Sequence, residues 1–147
     1  MKIIKLYSKT LWLALTTLAL SFNAGAEQMV KLGDWNVHYI AFGSTFVTPE
    51  IAKAYGITRS KYKGIINISV LNRNKGNTAE KVNIRGKAKN LLGNTVELKF
   101  KEIVEDKSVY YIAQIDYSNA ETFRFEIDIY QGNAAQSFKF TQDFYAD

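Results

Sequence analysis

From Trp35 onward, apolar and polar side chains alternate in short runs: Val82 and Ile84; Val96, Leu98 and Phe100; Val109, Tyr111, Ala113 and Ile115; Phe123, Phe125, Ile127 and Ile129. Arg124, Glu126 and Asp128 separate the members of the last run. In an extended chain a period of two sends neighbouring side chains to opposite faces, so each run predicts a strand with one face in a core and one in water. Between the runs lie Asn72 to Asn77, Asn90 to Asn94, Glu105 to Ser108, Ser118 to Ala120, and Gly132 with Asn133, segments rich in Asn and Gly. Asn and Gly tolerate the left-handed backbone of tight turns, and Asn90 with Gly93 suits a type I turn closed by a glycine bulge. About seven strands are expected, near 35–43, 62–72, 80–89, 95–104, 109–117, 122–131 and 136–144, paired antiparallel in a sandwich or barrel.

One segment departs from the alternation. Thr48, Pro49 and Glu50 combine a hydroxyl cap, a proline at the first helical position and an early acid, and Gly56 after Tyr55 supplies a stop. These residues predict about two turns of helix between the first two strands and no other helix in the domain.

The start of the chain carries a different pattern. Lys2, Lys5 and Lys9 precede an apolar stretch from Leu11 to Leu20, followed by Ala24-Gly25-Ala26. This is the layout of a secretory signal peptide with a small-x-small cleavage site, and the apolar run is about half the length a membrane-spanning helix needs. Residues 1–26 are therefore expected to be removed, leaving a single soluble domain, 27–147, in the periplasm, with no membrane insertion after cleavage. Without a cysteine, the chain has no site for lipid attachment at the cleavage point and no disulfide, so its core must suffice. The strand count argues against an outer-membrane barrel, which takes an even number of at least eight strands.

The basic balance is mostly a property of the leader. Sixteen basic and fourteen acidic residues follow Ala26, a net charge of +2. Lys81, Arg85, Lys87 and Lys89 form the densest basic cluster, at mostly alternate positions opposite Val82, Ile84 and Ala88. That spacing describes the solvated face of one strand, and no nucleic-acid partner is expected.

The stretch Gly33-Asp34-Trp35-Asn36-Val37-His38-Tyr39-Ile40-Ala41-Phe42 continues through Thr48-Pro49-Glu50-Ile51-Ala52 and Tyr55-Gly56-Ile57 to Asn67-Ile68-Ser69-Val70-Leu71. With Asn90-Leu91-Leu92-Gly93 and Val109-Tyr110-Tyr111-Ile112-Ala113, it resembles a family of small exported proteobacterial proteins known as domain of unknown function 4426. The resemblance implies an immunoglobulin-like antiparallel β-sandwich and a periplasmic location. It carries no activity, ligand or catalytic residue.

With no cysteine and, after the leader, only His38 as imidazole, the chain cannot form a thiolate nucleophile or a multi-histidine zinc site, and no nucleophile elbow occurs. The carboxylate candidates are Glu102, Glu105 and Asp106 around one hairpin, and Asp116, Glu126 and Asp128 on outward strand positions. Paired acids could serve glycoside chemistry, but their mutual placement depends on strand neighbours. Neither a cofactor nor a metal site is expected. The first third of the domain is instead dense in aromatic and polar side chains suited to recognition: Trp35, His38, Tyr39, Phe42, Phe46, Tyr55, Arg59 and Tyr62. The expected function is non-enzymatic binding of an envelope protein or a small ligand, with Trp35, His38, Tyr39, Tyr55, Arg59 and Tyr62 as binding residues. The alternative is an envelope hydrolase acting on carbohydrate or peptide through carboxylates and His38.

Overall fold

A computed structural model describes residues 27–146, so the expected signal peptide and its cleavage site lie outside the described residues. The described chain forms two antiparallel sheets packed face to face. Its strands are β1 (Gln28–Leu32), β2 (Trp35–Gly43), β3 (Lys63–Asn72), β4 (Thr78–Ala79), β5 (Asn83–Asn90), β6 (Thr95–Leu98), β7 (Lys101–Glu105), β8 (Ser108–Asp116), β9 (Glu121–Gln131) and β10 (Ala134–Phe144). One sheet has the order β1-β2-β3-β8-β7, with β4 also on β3, and the other has the order β10-β9-β5-β6.

The sandwich agrees with the alternation, but there are ten strands among the described residues rather than seven. Three causes account for the difference. β1 folds back on β2 through the two-residue turn Gly33-Asp34, with Leu32 opposite Trp35. The run expected over 95–104 breaks at Lys99 and Phe100, where the chain leaves the β5 edge of one sheet and continues along β8 in the other. Just ahead of the run expected over 80–89, the two residues of β4 pair with the end of β3, while the run itself pairs with β9 from Asn83 onward. A strand that changes sheets reads as one alternating run, because the side-chain period is unbroken while the pairing partner changes.

The core lies between the sheets. Phe123, Phe125, Ile127 and Ile129 point inward from β9 and are buried, as are Val37, Ile66, Ile68 and Val70 from the other sheet. Aromatic rings extend this packing: Phe140 stacks on Phe125 at 4.7 Å between centroids, and Tyr39 lies 5.0 Å from Phe138. No helix among the described residues is long and apolar enough to cross a membrane.

The expected helix is present as α1 (Pro49–Tyr55). The Thr48 hydroxyl accepts a hydrogen bond from the Ile51 amide, and Gly56 ends the helix in the left-handed region, at φ 66°. The connection containing α1 lies on the outer face of the larger sheet. Lys101 donates to the Tyr55 carbonyl, and Gln114 exchanges two hydrogen bonds with the Thr58 backbone, at 2.9 and 2.8 Å. Ala52, Ile65 and Ile103 are buried there, outside the main core cluster, so the apolar face of a helix too short to persist alone is covered.

Candidate functional site

β1 pairs with β2 only as far as Tyr39, so Ile40 to Gly43 have β3 on one side and, among the described residues, no strand on the other. The end of β10 is a second free edge, paired only with β9. Between these edges lies a groove of about 590 Å³, bordered by Ile40, Phe42, Phe46, Lys61, Asp143 and Tyr145 and floored by Ala41, Tyr117 and Phe144. Its volume falls in the range of pockets that hold small molecules.

Two glycines make room for the floor. Gly43 faces Gly64 across β2 and β3, so this inward-facing row has no side chains from either strand. A Cβ on Gly64 would lie 2.6 Å from the Phe144 ring, and one on Gly43 would lie 3.3 Å from the Tyr117 hydroxyl. The rings of Tyr117 and Phe144 stack at 4.8 Å in that region, and the Tyr117 hydroxyl donates to the Tyr145 carbonyl. Phe46 and Tyr145 form the rim and are 75% and 58% exposed.

The rim is held by backbone-directed bonds. Ser44 is fully buried; its hydroxyl donates to the Ser60 carbonyl and accepts from the Ser60 amide, both at 2.9 Å. Arg59 donates to the Thr45 carbonyl at 3.2 Å, and the Tyr117 amide donates to the Tyr62 carbonyl. The connection from Ser44 to Ser60 is thereby closed at its base, which fixes Phe46 beside the groove.

The six residues expected to bind do not form one surface. Trp35 is buried, and Tyr39 points into the sandwich, with its ring between those of Phe138 and Phe140. His38 lies on the outer face of β2, where its Nδ1 is 3.2 Å from the Glu27 carboxylate. Tyr55 donates a short hydrogen bond to Glu105, and this bond to a carboxylate, with lesser help from burial, holds its phenol above the usual pKa. Arg59 braces Thr45, and Tyr62 is half exposed with the Lys61 ammonium 5.3 Å from its ring centroid. Lys61, rather than Arg59, is the cation beside the groove.

Sequence reasoning missed Tyr117, Phe144 and Tyr145. The available signal was the pair of glycines inside strand runs, since a strand glycine marks a bend or a close approach.

The carboxylates are distributed over both sheets, and most have a side-chain partner of their own. Glu102 accepts from Tyr111, Asp116 pairs with Lys63 at 2.6 Å, Glu126 lies between Lys87 and Lys139, and Asp128 accepts from Ser137. None of these lines the groove, and neither does His38. Among the described residues, no group of three or more His, Asp or Glu side chains is placed to hold a metal ion.

Comparison with known proteins places this fold in context. The crystal structure of a DUF4426 family protein from Pseudomonas aeruginosa PAO1 is similar, with a TM-score of 0.73 and 35% identity over 86% of this chain and 98% of that one. A copper-bound variant of FetP from uropathogenic Escherichia coli strain F11 has a TM-score of 0.54 at 14% identity, over 82% of this chain and 89% of that one. FetP as isolated from the same strain, recombinantly expressed in the periplasm, has a TM-score of 0.52 at 14% identity, over 82% and 93% of the two chains. The FetP likeness is one of fold. No curated protein matched the chain. The model of the domain of unknown function DUF4426 matches residues 29–147, nearly all of the described chain, and the protein belongs to that family.

Proposed function

We propose that this protein is a non-enzymatic binding domain of the bacterial periplasm that holds a small, mainly apolar molecule in the groove between β2 and β10. The observation carrying this proposal is the groove itself, with an apolar floor, two exposed aromatic side chains at its rim, and Lys61 and Asp143 as its charged groups. Apolar area provides affinity in such a site, while a few polar groups set orientation. The lysine-rich leader and Ala24-Gly25-Ala26 support the periplasmic assignment. The resemblance of the sequence, together with antiparallel sheets between which strands cross, supports an immunoglobulin-like class for the scaffold.

The test uses protein recovered from the soluble periplasmic fraction, with anilinonaphthalene sulfonate as a fluorescent apolar probe. Probe enhancement should fall at least severalfold in Phe46→Ser and Tyr145→Ser, with little change in the melting curves of these exposed sites. It should persist in Tyr55→Ala, whose side chain lies over β7. Equal fluorescence in all variants would overturn the assignment of the groove.

A further inference from the structure

The β5–β6 hairpin ends in Asn90-Leu91-Leu92-Gly93-Asn94, and its leucines are 69% and 88% exposed. Hydrogen bonds close the turn through Asn90, Gly93 and Asn94. The Asn90 amide donates to the Asn94 carbonyl, Gly93 donates to the Asn90 carbonyl, and the Asn90 side chain both accepts from the Asn94 amide and donates to Glu121. The two leucines are therefore held outward by an ordered turn whose other positions are Asn and Gly. Adjacent exposed leucines on a rigid tip form an apolar surface that single scattered residues do not.

The strand residues behind the tip carry the complementary feature. Strand register sets Thr95, Lys89, Arg124 and Thr141 in one row across β6, β5, β9 and β10. Like charges placed directly opposite one another destabilise a sheet, yet Lys89 and Arg124 face each other, and neither makes an ion pair among the described residues. Glu126, one row further on, is matched by Lys87 at 3.1 Å and Lys139 at 3.5 Å. These side chains line a depression of about 460 Å³ whose sole carboxylate is Glu126.

Spacing joins the two features. At about 3.3 Å per strand residue, Lys89 lies roughly 7 Å behind Leu91. Interfacial segments bury their apolar face about 5–10 Å into the boundary between headgroups and acyl chains. Leucines at that depth bring Lys89 and Arg124 to the level of the lipid phosphates. Phe46, Tyr62 and Tyr145, all exposed, lie at the same end of the sandwich, where β2 and β10 finish and β3 begins.

We propose that this end of the molecule docks peripherally on an anionic phospholipid surface, Leu91 and Leu92 entering the interface while Lys89 and Arg124 contact lipid phosphates. Charge favours this occupant over a second copy of the chain, since tip-to-tip pairing would bring two uncompensated Lys89–Arg124 rows together. The proposal does not depend on what the groove holds.

The test is co-sedimentation of the protein from the soluble periplasmic fraction with vesicles of phosphatidylcholine alone or doped with phosphatidylglycerol, at low and at physiological salt. Binding should require phosphatidylglycerol and weaken with salt. It should fall roughly tenfold or more in Leu91→Ser/Leu92→Ser and in Lys89→Ala/Arg124→Ala. Melting curves of both variants should match that of the parent, and either one alone suffices if the other fails to fold. Absence of binding to the doped vesicles, or undiminished binding by a folded variant, would overturn the proposal. So would light scattering that shows a dimer in the parent and a monomer in the leucine variant, which would assign the tip to self-association.

Discussion

Gly64 illustrates how one missing methyl group shapes this protein. Its hydrogen occupies a place where a Cβ would lie 2.6 Å from an atom of the Phe144 ring, and that ring is itself packed against Tyr117 and 6.1 Å from Phe123. Gly64→Ala is expected to cost about 1–3 kcal/mol, since overpacking a filled core forces rings from their rotamers. Phe125→Ala should cost about 3–5 kcal/mol, because the ring is fully buried and its stacking partner Phe140 cannot close the space. Lys99→Ala, on an exposed position, should stay within about 0.5 kcal/mol. Denaturant melts rank the three, and a Gly64→Ala variant as stable as the parent would show that Phe144 can move without cost.

Helix α1 tests a different dependence, that of a short element on its cap and its underlying sheet. Two turns of helix form no stable unit in water, so α1 persists through its contacts with β7 and β8 and through the cap at Thr48. Replacing Thr48 with Ala removes the acceptor of the Ile51 amide and should cost about 1 kcal/mol. The loss should be local. Exchange of the Ile57 amide, which donates to the Ala52 carbonyl, should rise roughly fivefold, while amides of β9 keep their protection. Uniform acceleration across β9 would mean that the helix and the sandwich open together. The β6–β7 segment behaves in the opposite way: its two halves belong to different sheets, so it links the layers covalently at Lys99 and Phe100.

Across the assembled sandwich, both candidate surfaces lie where the sheets leave something uncovered. Among the described residues, the groove follows from β1 pairing with β2 only between Trp35 and Tyr39 while β2 continues to Gly43, and the basic row follows from β5 and β9 facing water with two cations in register. Both would act in the periplasm if the proposed export holds. The intact mass of the protein from the periplasmic fraction should correspond to a chain beginning at Glu27, and recovery of the uncleaved chain in membranes would contradict the proposed export. The same measurement defines the material for the probe and vesicle experiments, so a retained leader could not be mistaken for docking by the hairpin tip.

Local order was open to inspection in the chain because it depends on neighbours in sequence. Period-two alternation placed Phe123, Phe125, Ile127 and Ile129 inward, and Thr48, Pro49 and Gly56 bounded the helix, each through backbone chemistry within a few residues. The family resemblance was likewise carried by short local stretches, Thr48-Pro49-Glu50-Ile51-Ala52 and Tyr55-Gly56-Ile57 among them. Where both faces of a strand are apolar, alternation alone does not choose the core. Trp35 and Tyr39 alternate with His38 and Ile40, and only the tertiary packing, with Tyr39 against Phe138 and Phe140 of β10 and Trp35 in the core cluster, decided that the first pair points inward. Strand partners were equally hidden, because pairing is a contact between distant segments and an alternating run looks the same whether it stays in one sheet or crosses to the other. The groove combines Gly43 and Gly64 with Tyr117, Phe144 and Tyr145, and the basic row combines Lys89 with Arg124. Neither constellation has a sequence spacing to recognise, since each is created by sheet register and by where an edge strand ends.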